Sequence, residues 1–151
     1  MSIVKTLIIN PSVSPTDPSL PPVITINAQT NSRILEIPTV ETVTLNYLTI
    51  ENGYHVTPLP PLHSTYNTIG GGGATIDGGG GIYNAGTLAI NNSTIQNNVN
   101  TSAGDLSIGS ASSGGGGILN IGTLTIDSST ITGNKNIPQG TKGFIPAGGG
   151  G

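Results

Sequence analysis

Gly78–Asn98 reads GGGGIYNAGTLAINNSTIQNN and Gly114–Asn134 reads GGGGILNIGTLTIDSSTITGN. The second is the first written again 36 residues later, with glycines, asparagines and branched apolar residues kept in place. Self-similarity at such a period marks a stacked-repeat architecture, whose units are too small to bury an apolar side except against a neighbour. The core of the repeat, Thr–apolar–x–apolar–Asn/Asp, occurs at Thr6–Asn10 (TLIIN), Thr42–Asn46 (TVTLN), Thr87–Asn91 (TLAIN) and Thr123–Asp127 (TLTID). The steps between copies are 36, 45 and 36 residues. Around the last three copies the match runs without a gap from Ile37, Ile82 and Ile118 to Gly53, Asn98 and Asn134.

Within each copy three short segments alternate apolar and small polar residues, as in Gly81–Asn84, Thr87–Asn91 and Ser93–Asn98. Alternation of period two, bounded by Gly, Asn and Ser, predicts short strands, and no window carries apolar residues at helical spacing. Three strands joined by tight bends return the chain above its own start. Each strand then pairs in parallel with its copy about 4.8 Å away. The predicted fold is all-β: a right-handed, single-stranded parallel β-helix with three-strand coils, its hand taken from the preference of parallel crossovers. One domain spans residues 1–151, with coils near 3–37, 37–53, 79–98 and 115–134. Loop insertions are predicted at 54–77, 99–113 and 135–147.

Parity points Val43, Leu45 and Ile50 inward, stacked under Leu88, Ile90 and Ile95, and those under Leu124, Ile126 and Ile131. An aspartate at Ile90 or Ile126 would place an unpaired charge inside the stack. Asn10, Asn46, Asn91 and Asp127 fall at one corner, Asn84 and Asn120 at another. Asparagine tolerates left-handed backbone, and its amide can bond its own copy one coil away, so these positions predict structural ladders.

Charged residues make up 7 % of the chain and the net charge is −3, too little charge and too much periodic Ile, Leu and Val for disorder. Lys5, Arg33, Lys135 and Lys142 form no cluster, which removes the electrostatic footing for nucleic acid. With no cysteine there is neither a disulfide nor a thiolate site. No apolar run has membrane-spanning length, and MSIVKTLIIN lacks the pattern of a signal peptide. Neither end carries a polar cap, so the reading is a fragment without caps, continued by further coils of the same longer chain.

The motifs GGGI (Gly79–Ile82, Gly115–Ile118) and Ile-x-x-Asn (Ile95–Asn98, Ile131–Asn134) resemble the GGA(I/L/V) and FxxN motifs of bacterial β-helix surface proteins. These are the polymorphic outer membrane proteins and autotransporter passengers, whose solenoid is pectin-lyase-like. Ile24–Gly53 resembles their first coils. Here Ile stands for Phe and Gly for Ala, closer to the broad environmental-bacterial branch. The resemblance implies a secreted or outer-membrane-displayed location, and a non-catalytic structural or adhesive role toward a host or environmental glycan or protein surface.

Other chemistries were weighed residue by residue. A polysaccharide lyase or glycosidase needs carboxylates flanking a cleft. In the repeat alignment Glu36 stacks on Gly81 and Gly117, and Glu51 on Gln96 and Thr132, so acid never meets acid. A carbohydrate-active β-helix remains the alternative, with an enzyme not expected. The run Gly70–Gly81 lacks the Gly-Lys-Ser/Thr of a phosphate loop and the spacing of a calcium β-roll. His55 and His63, without a third ligand, give no metal site, and no cofactor is predicted. Thr49, Thr94 and Thr130 form an outward column, as do Thr6, Thr42, Thr87 and Thr123. Such arrays resemble ice-binding faces, a minor alternative, because the neighbouring column reads Ile8, Thr44, Ala89, Thr125. The insertions all leave one edge of the stack, and the first supplies a candidate contact loop with Tyr54, His55, His63 and Tyr66.

Overall fold

The computed structural model describes residues 6–9, 24–57, 78–102 and 114–137, and among these every regular element is a strand. Two strands come first, β1 (Thr6–Ile9) and β2 (Ile24–Asn27). Three sets of four follow. The first is β3 (Leu35–Ile37), β4 (Thr42–Asn46), β5 (Leu48–Glu51) and β6 (Tyr54–Thr57). The second is β7 (Ile82–Asn84), β8 (Thr87–Asn91), β9 (Thr94–Gln96) and β10 (Val99–Ser102). The third is β11 (Ile118–Asn120), β12 (Thr123–Asp127), β13 (Thr130–Thr132) and β14 (Lys135–Ile137). Equivalent strands pair in parallel into four sheets: I (β3-β7-β11), II (β1-β4-β8-β12), III (β2-β5-β9-β13) and IV (β6-β10-β14).

The expected three strands per repeat are therefore four. Tyr54, Val99 and Lys135, placed in loop insertions by the sequence, begin strands in register with one another. The alternation that would reveal them is weak. YHVT, VNTS and KNI share no apolar pattern, and their pairing rests on backbone bonds such as Val99 N–H to Gly53 O at 2.8 Å and Lys135 N–H to Asn98 O at 2.8 Å.

Sheet II has the expected register, Thr42↔Thr87↔Thr123, and sheet III pairs Ile50↔Ile95↔Ile131. Sheet I differs. Leu35, not Ile37, lies opposite Ile82, and Ile37 lies opposite Asn84. The cause is the turn before β4: four residues, 38–41, do the work of Ala85–Gly86 in the next repeat. That longer turn closes on itself through Glu41 N–H to Pro38 O at 3.0 Å. It sits against Gly86, where a Cβ would lie 2.4 Å from both the Pro38 and Glu41 carbonyl oxygens. A slip of two residues keeps every side chain on its face, so nothing in the apolar pattern forbids it. Glu36 consequently stacks on Tyr83 rather than on Gly81.

The apolar faces of sheets I, II and III meet in one cluster of Ile37, Val43, Leu45, Leu48, Ile50, Ile82, Leu88, Ile90 and Ile95, all buried. Six of these were assigned inward from parity; Ile37, Leu48 and Ile82 were not. Leu124 and Ile131 pack partly buried against the cluster. Ile126 departs from expectation. It is 41 % exposed, whereas Ile90 and Leu45 in the same column are 0 % exposed. Among the described residues no strand lies beyond β12, so Ile126 has a paired strand on one side only there.

The corners depart by one residue. Asn46, Asn91 and Asp127 end strands, and the left-handed backbone falls on the next residue: Tyr47 (φ 55°), Asn92 (φ 48°) and Ser128 (φ 47°). A second left-handed column is Asn52, Asn97 and Gly133.

Candidate functional site

The predicted ladders are hydrogen-bonded structures. Asn91 Nδ2 donates to Asn46 Oδ1 at 2.8 Å. Asp127 keeps the register but accepts from Ser128 Oγ at 3.2 Å. Asn10 lies outside the described residues. At the other corner Asn84 Nδ2 donates to Asn120 Oδ1 at 2.6 Å and to Thr123 O at 2.9 Å.

Sequence reasoning passed over three further ladders. Buried Asn98 donates through Nδ2 to Asn134 Oδ1 at 2.9 Å, while its Oδ1 accepts the Gly53 N–H at 2.8 Å. Ser93 Oγ accepts the Leu48 N–H at 3.1 Å, and the Ser93 N–H in turn donates to Ser129 Oγ at 3.0 Å. Asn100 Nδ2 donates to Asn136 Oδ1 at 2.9 Å. The first of these was legible as the terminal Asn of Ile-x-x-Asn, a position read only as a motif. Asn98 and Ser93 supply bonds where the sheets break at corners, and Asn100 does so within sheet IV; all three are buried and hydrogen-bonded.

The glycine runs are spent in the same way. Gly79, Gly80 and Gly81 donate their N–H groups to the carbonyls of Gly115, Gly116 and Gly117 at 2.9, 2.8 and 3.0 Å. At Gly80 a Cβ would stand 2.3 Å from Val99 O, so close approach of backbones excludes any side chain there. N–H groups bonded in this way cannot cradle a phosphate. Arg33 pins the run from outside. Its Nη2 donates to Gly78 O at 2.8 Å and its Nε to Gly79 O at 3.2 Å, while Nη1 meets Glu36 Oε2 at 3.1 Å. The guanidinium also stands 5.1 Å from the Tyr83 ring centroid, within cation–π range.

Of the candidate contact loop, Tyr54 and His55 are among the described residues. Tyr54 and His55 are strand residues of sheet IV, half-buried and opposite Val99 and Asn100. His63 and Tyr66 lie outside the described residues. His55 shares a column with Asn100 and Asn136 and so belongs to the stack.

What remains outward is the face of sheets II and III. Thr25, Thr49, Thr94 and Thr130 form one unbroken column through four strands, one strand longer than the sequence showed, because ITIN (Ile24–Asn27) pairs with LTIE (Leu48–Glu51). Beside it run Asn27, Glu51, Gln96 and Thr132. Glu51 is clasped from both sides: Asn27 Nδ2 donates to Oε1 at 2.9 Å and Gln96 Nε2 to Oε2 at 2.7 Å. On sheet II the outward columns are Thr42–Thr87–Thr123 and Ile8–Thr44–Ala89–Thr125. The threonines of this face present hydroxyls on β-branched, rotamer-restricted side chains, and Asn27 and Gln96 add amides beside them.

A separate cavity of about 480 Å³ opens beside β3 and β1, lined by Leu7, Leu35, Ile37 and Val43 with Glu36 and Glu41. Glu36 and Glu41 of the same repeat both line it, and Glu36 is ion-paired with Arg33. Among the described residues no group of three or more His, Asp or Glu is placed to hold a metal ion, and no helix is long and apolar enough to cross a membrane. Comparison with known protein families, with characterised proteins and with solved structures returns no match to this chain.

Proposed function

We propose that the chain is part of a right-handed parallel β-helix that serves as a non-catalytic, adhesive and structural surface outside the cell, within a longer displayed protein. Four parallel sheets visited in the same order by each repeat support the solenoid, and the general hand of parallel crossovers supplies its handedness. The observation that carries the adhesive reading is the outward lattice of sheets II and III, whose Thr, Asn and Gln columns repeat about every 4.8 Å along the stack. Repeated weak hydroxyl and amide contacts suit a polyhydroxylated polymer, where many sites add through avidity.

The test is retention of the purified chain on insoluble polysaccharides and a glycan array, beside a Thr49→Lys, Thr94→Lys double variant. Retention that the variant loses while keeping its melting temperature supports the reading. No retention, or retention unchanged in the variant, refutes it. A carbohydrate-active alternative is favoured by one feature, the Glu36–Glu41 cavity. Depolymerisation of a bound glycan that Glu36→Gln and Glu41→Gln each abolish would replace the adhesive reading with that one.

A further inference from the structure

We propose that Asn52–Gly53 is a covalent self-modification site, held closed by the stack and opened when the Asn98 amide leaves it. It is the single Asn–Gly pair in the chain. An asparagine side chain is most open to attack by the next backbone nitrogen when that residue is glycine, because no Cβ stands in the way. The Gly53 nitrogen loses its proton to hydroxide and adds to Asn52 Cγ. A C–N bond forms there, the side-chain nitrogen departs as ammonia, and a five-membered succinimide remains. Water then opens the ring at either carbonyl, giving aspartate or isoaspartate. Water is the sole co-reactant, and nothing is oxidised or reduced.

The fold itself calls for this reactive pair. Asn52 is left-handed (φ 56°), like Asn97 and Gly133 at the levels above, a conformation suited to Asn or Gly. Gly53 is buried, and a Cβ there would stand 2.3 Å from Gly80 O. The same geometry blocks the reaction. The Gly53 N–H donates to the buried Asn98 Oδ1 at 2.8 Å, so the nucleophilic nitrogen keeps its proton in a bond. The pair is also tied on both sides, since Asn52 O accepts the Thr30 N–H and Gly53 O the Val99 N–H, each at 2.8 Å. Swinging Asn52 Cγ over the Gly53 nitrogen turns this peptide and breaks those bonds. Conversion therefore proceeds through opening of the corner, at a rate set by how often it opens. The change is one-way, because isoaspartate lengthens the main chain by one carbon and either product adds a carboxylate. This inference goes beyond the adhesive reading and does not depend on it.

The experiment incubates the whole chain warm at mildly alkaline pH and follows Asn52 by peptide mass spectrometry that resolves aspartate from isoaspartate. Folded wild type is expected to convert more than about tenfold more slowly than the chain in guanidinium chloride, since about 1.4 kcal/mol of opening is a factor of ten. Asn98→Ala is expected to raise the folded rate about fivefold or more, the factor that about 1 kcal/mol of lost hydrogen bonding gives. Asn84→Ala removes a buried ladder asparagine at another corner and is expected to leave the rate unchanged. Conversion of folded wild type at the denatured rate, no acceleration in Asn98→Ala, or equal acceleration in Asn84→Ala would each overturn the gate. A denatured chain that spares Asn52 while other asparagines convert would overturn the site itself. Where circular dichroism shows Asn98→Ala unfolded, wild type in sub-denaturing guanidinium chloride decides. Asn52 conversion and Gly53 amide exchange are then expected to rise together, and conversion that stays flat while exchange rises refutes the proposal.

Discussion

Ile90→Ala and Ile126→Ala remove the same three carbon atoms from the same column, at adjacent levels of the stack. Ile90 is 0 % exposed and lies between Leu45 and Ile126, which the parallel ladders hold in register. With a strand fixed on each side the site cannot collapse, so a cavity remains. The loss should sit in the upper half of the usual range for buried Ile→Ala, about 3–4 kcal/mol. Ile126 is already 41 % exposed and leaves no enclosed void. Three buried methyl or methylene groups at about 0.8 kcal/mol each, scaled to the covered fraction, give about 1.5 kcal/mol. The difference of about 2 kcal/mol should appear as a clearly earlier urea midpoint for Ile90→Ala, followed by the strand signal in circular dichroism. Equal shifts would mean that Ile126 is as enclosed as Ile90, and the argument from its exposure would fail.

Asn98→Ala should be more harmful than its small size suggests, because it leaves the buried Gly53 N–H without its acceptor and breaks the bond to Asn134. About 1–3 kcal/mol is expected for the orphaned donor, and amide exchange at Gly53 should accelerate. Gly86→Ala drives a Cβ to 2.4 Å from two carbonyl oxygens and should destabilise by at least the ~1–3 kcal/mol of ordinary overpacking. An unchanged melting temperature would show that the Pro38–Glu41 turn can retreat. Arg33→Met should lower the urea midpoint and Glu36→Gln should hardly move it, since the Glu36 carboxylate is largely exposed while the bonds to Gly78 and Gly79 are partly buried. Equal effects from the two substitutions would transfer the role from the glycine contacts to the ion pair.

Alternation placed Leu88, Ile90, Ile95 and their equivalents inside because a period of two has one consistent solution wherever one face is buried. It was silent on two matters for the same reason. A slip of two residues in sheet I leaves faces unchanged, so only the extra length of the 38–41 turn distinguished Ile37 from Leu35 as the partner of Ile82. Sheet IV has no apolar face to alternate: Asn100 and Thr101 are both buried there, and its inward column is His55, Asn100 and Asn136. Tyr54 and His55 thus looked like loop residues beside the Pro-rich stretch that follows. Position in the stack was equally hidden, since nothing local separates Ile126 from Ile90. The corner asparagines were visible as a recurrence, yet which of two successive residues turns left-handed depends on where the strand ends.

The division of labour among side chains bears directly on function. Apolar columns, amide and serine ladders and the glycine runs are all consumed in holding one repeat on the next, by dispersion, hydrogen bonding and close backbone approach respectively. A ligand cannot recruit these groups without unstacking the repeat. Recognition must therefore use outward positions, and there the chain varies from level to level. Thr25, Thr49, Thr94 and Thr130 stay constant while the adjacent column changes through Asn27, Glu51, Gln96 and Thr132. Within that column even the carboxylate is occupied, with Glu51 held by two amides and so poorly placed to act as an acid or base. The periodic hydroxyls beside it are what the proposed contact with a repeating polymer would use.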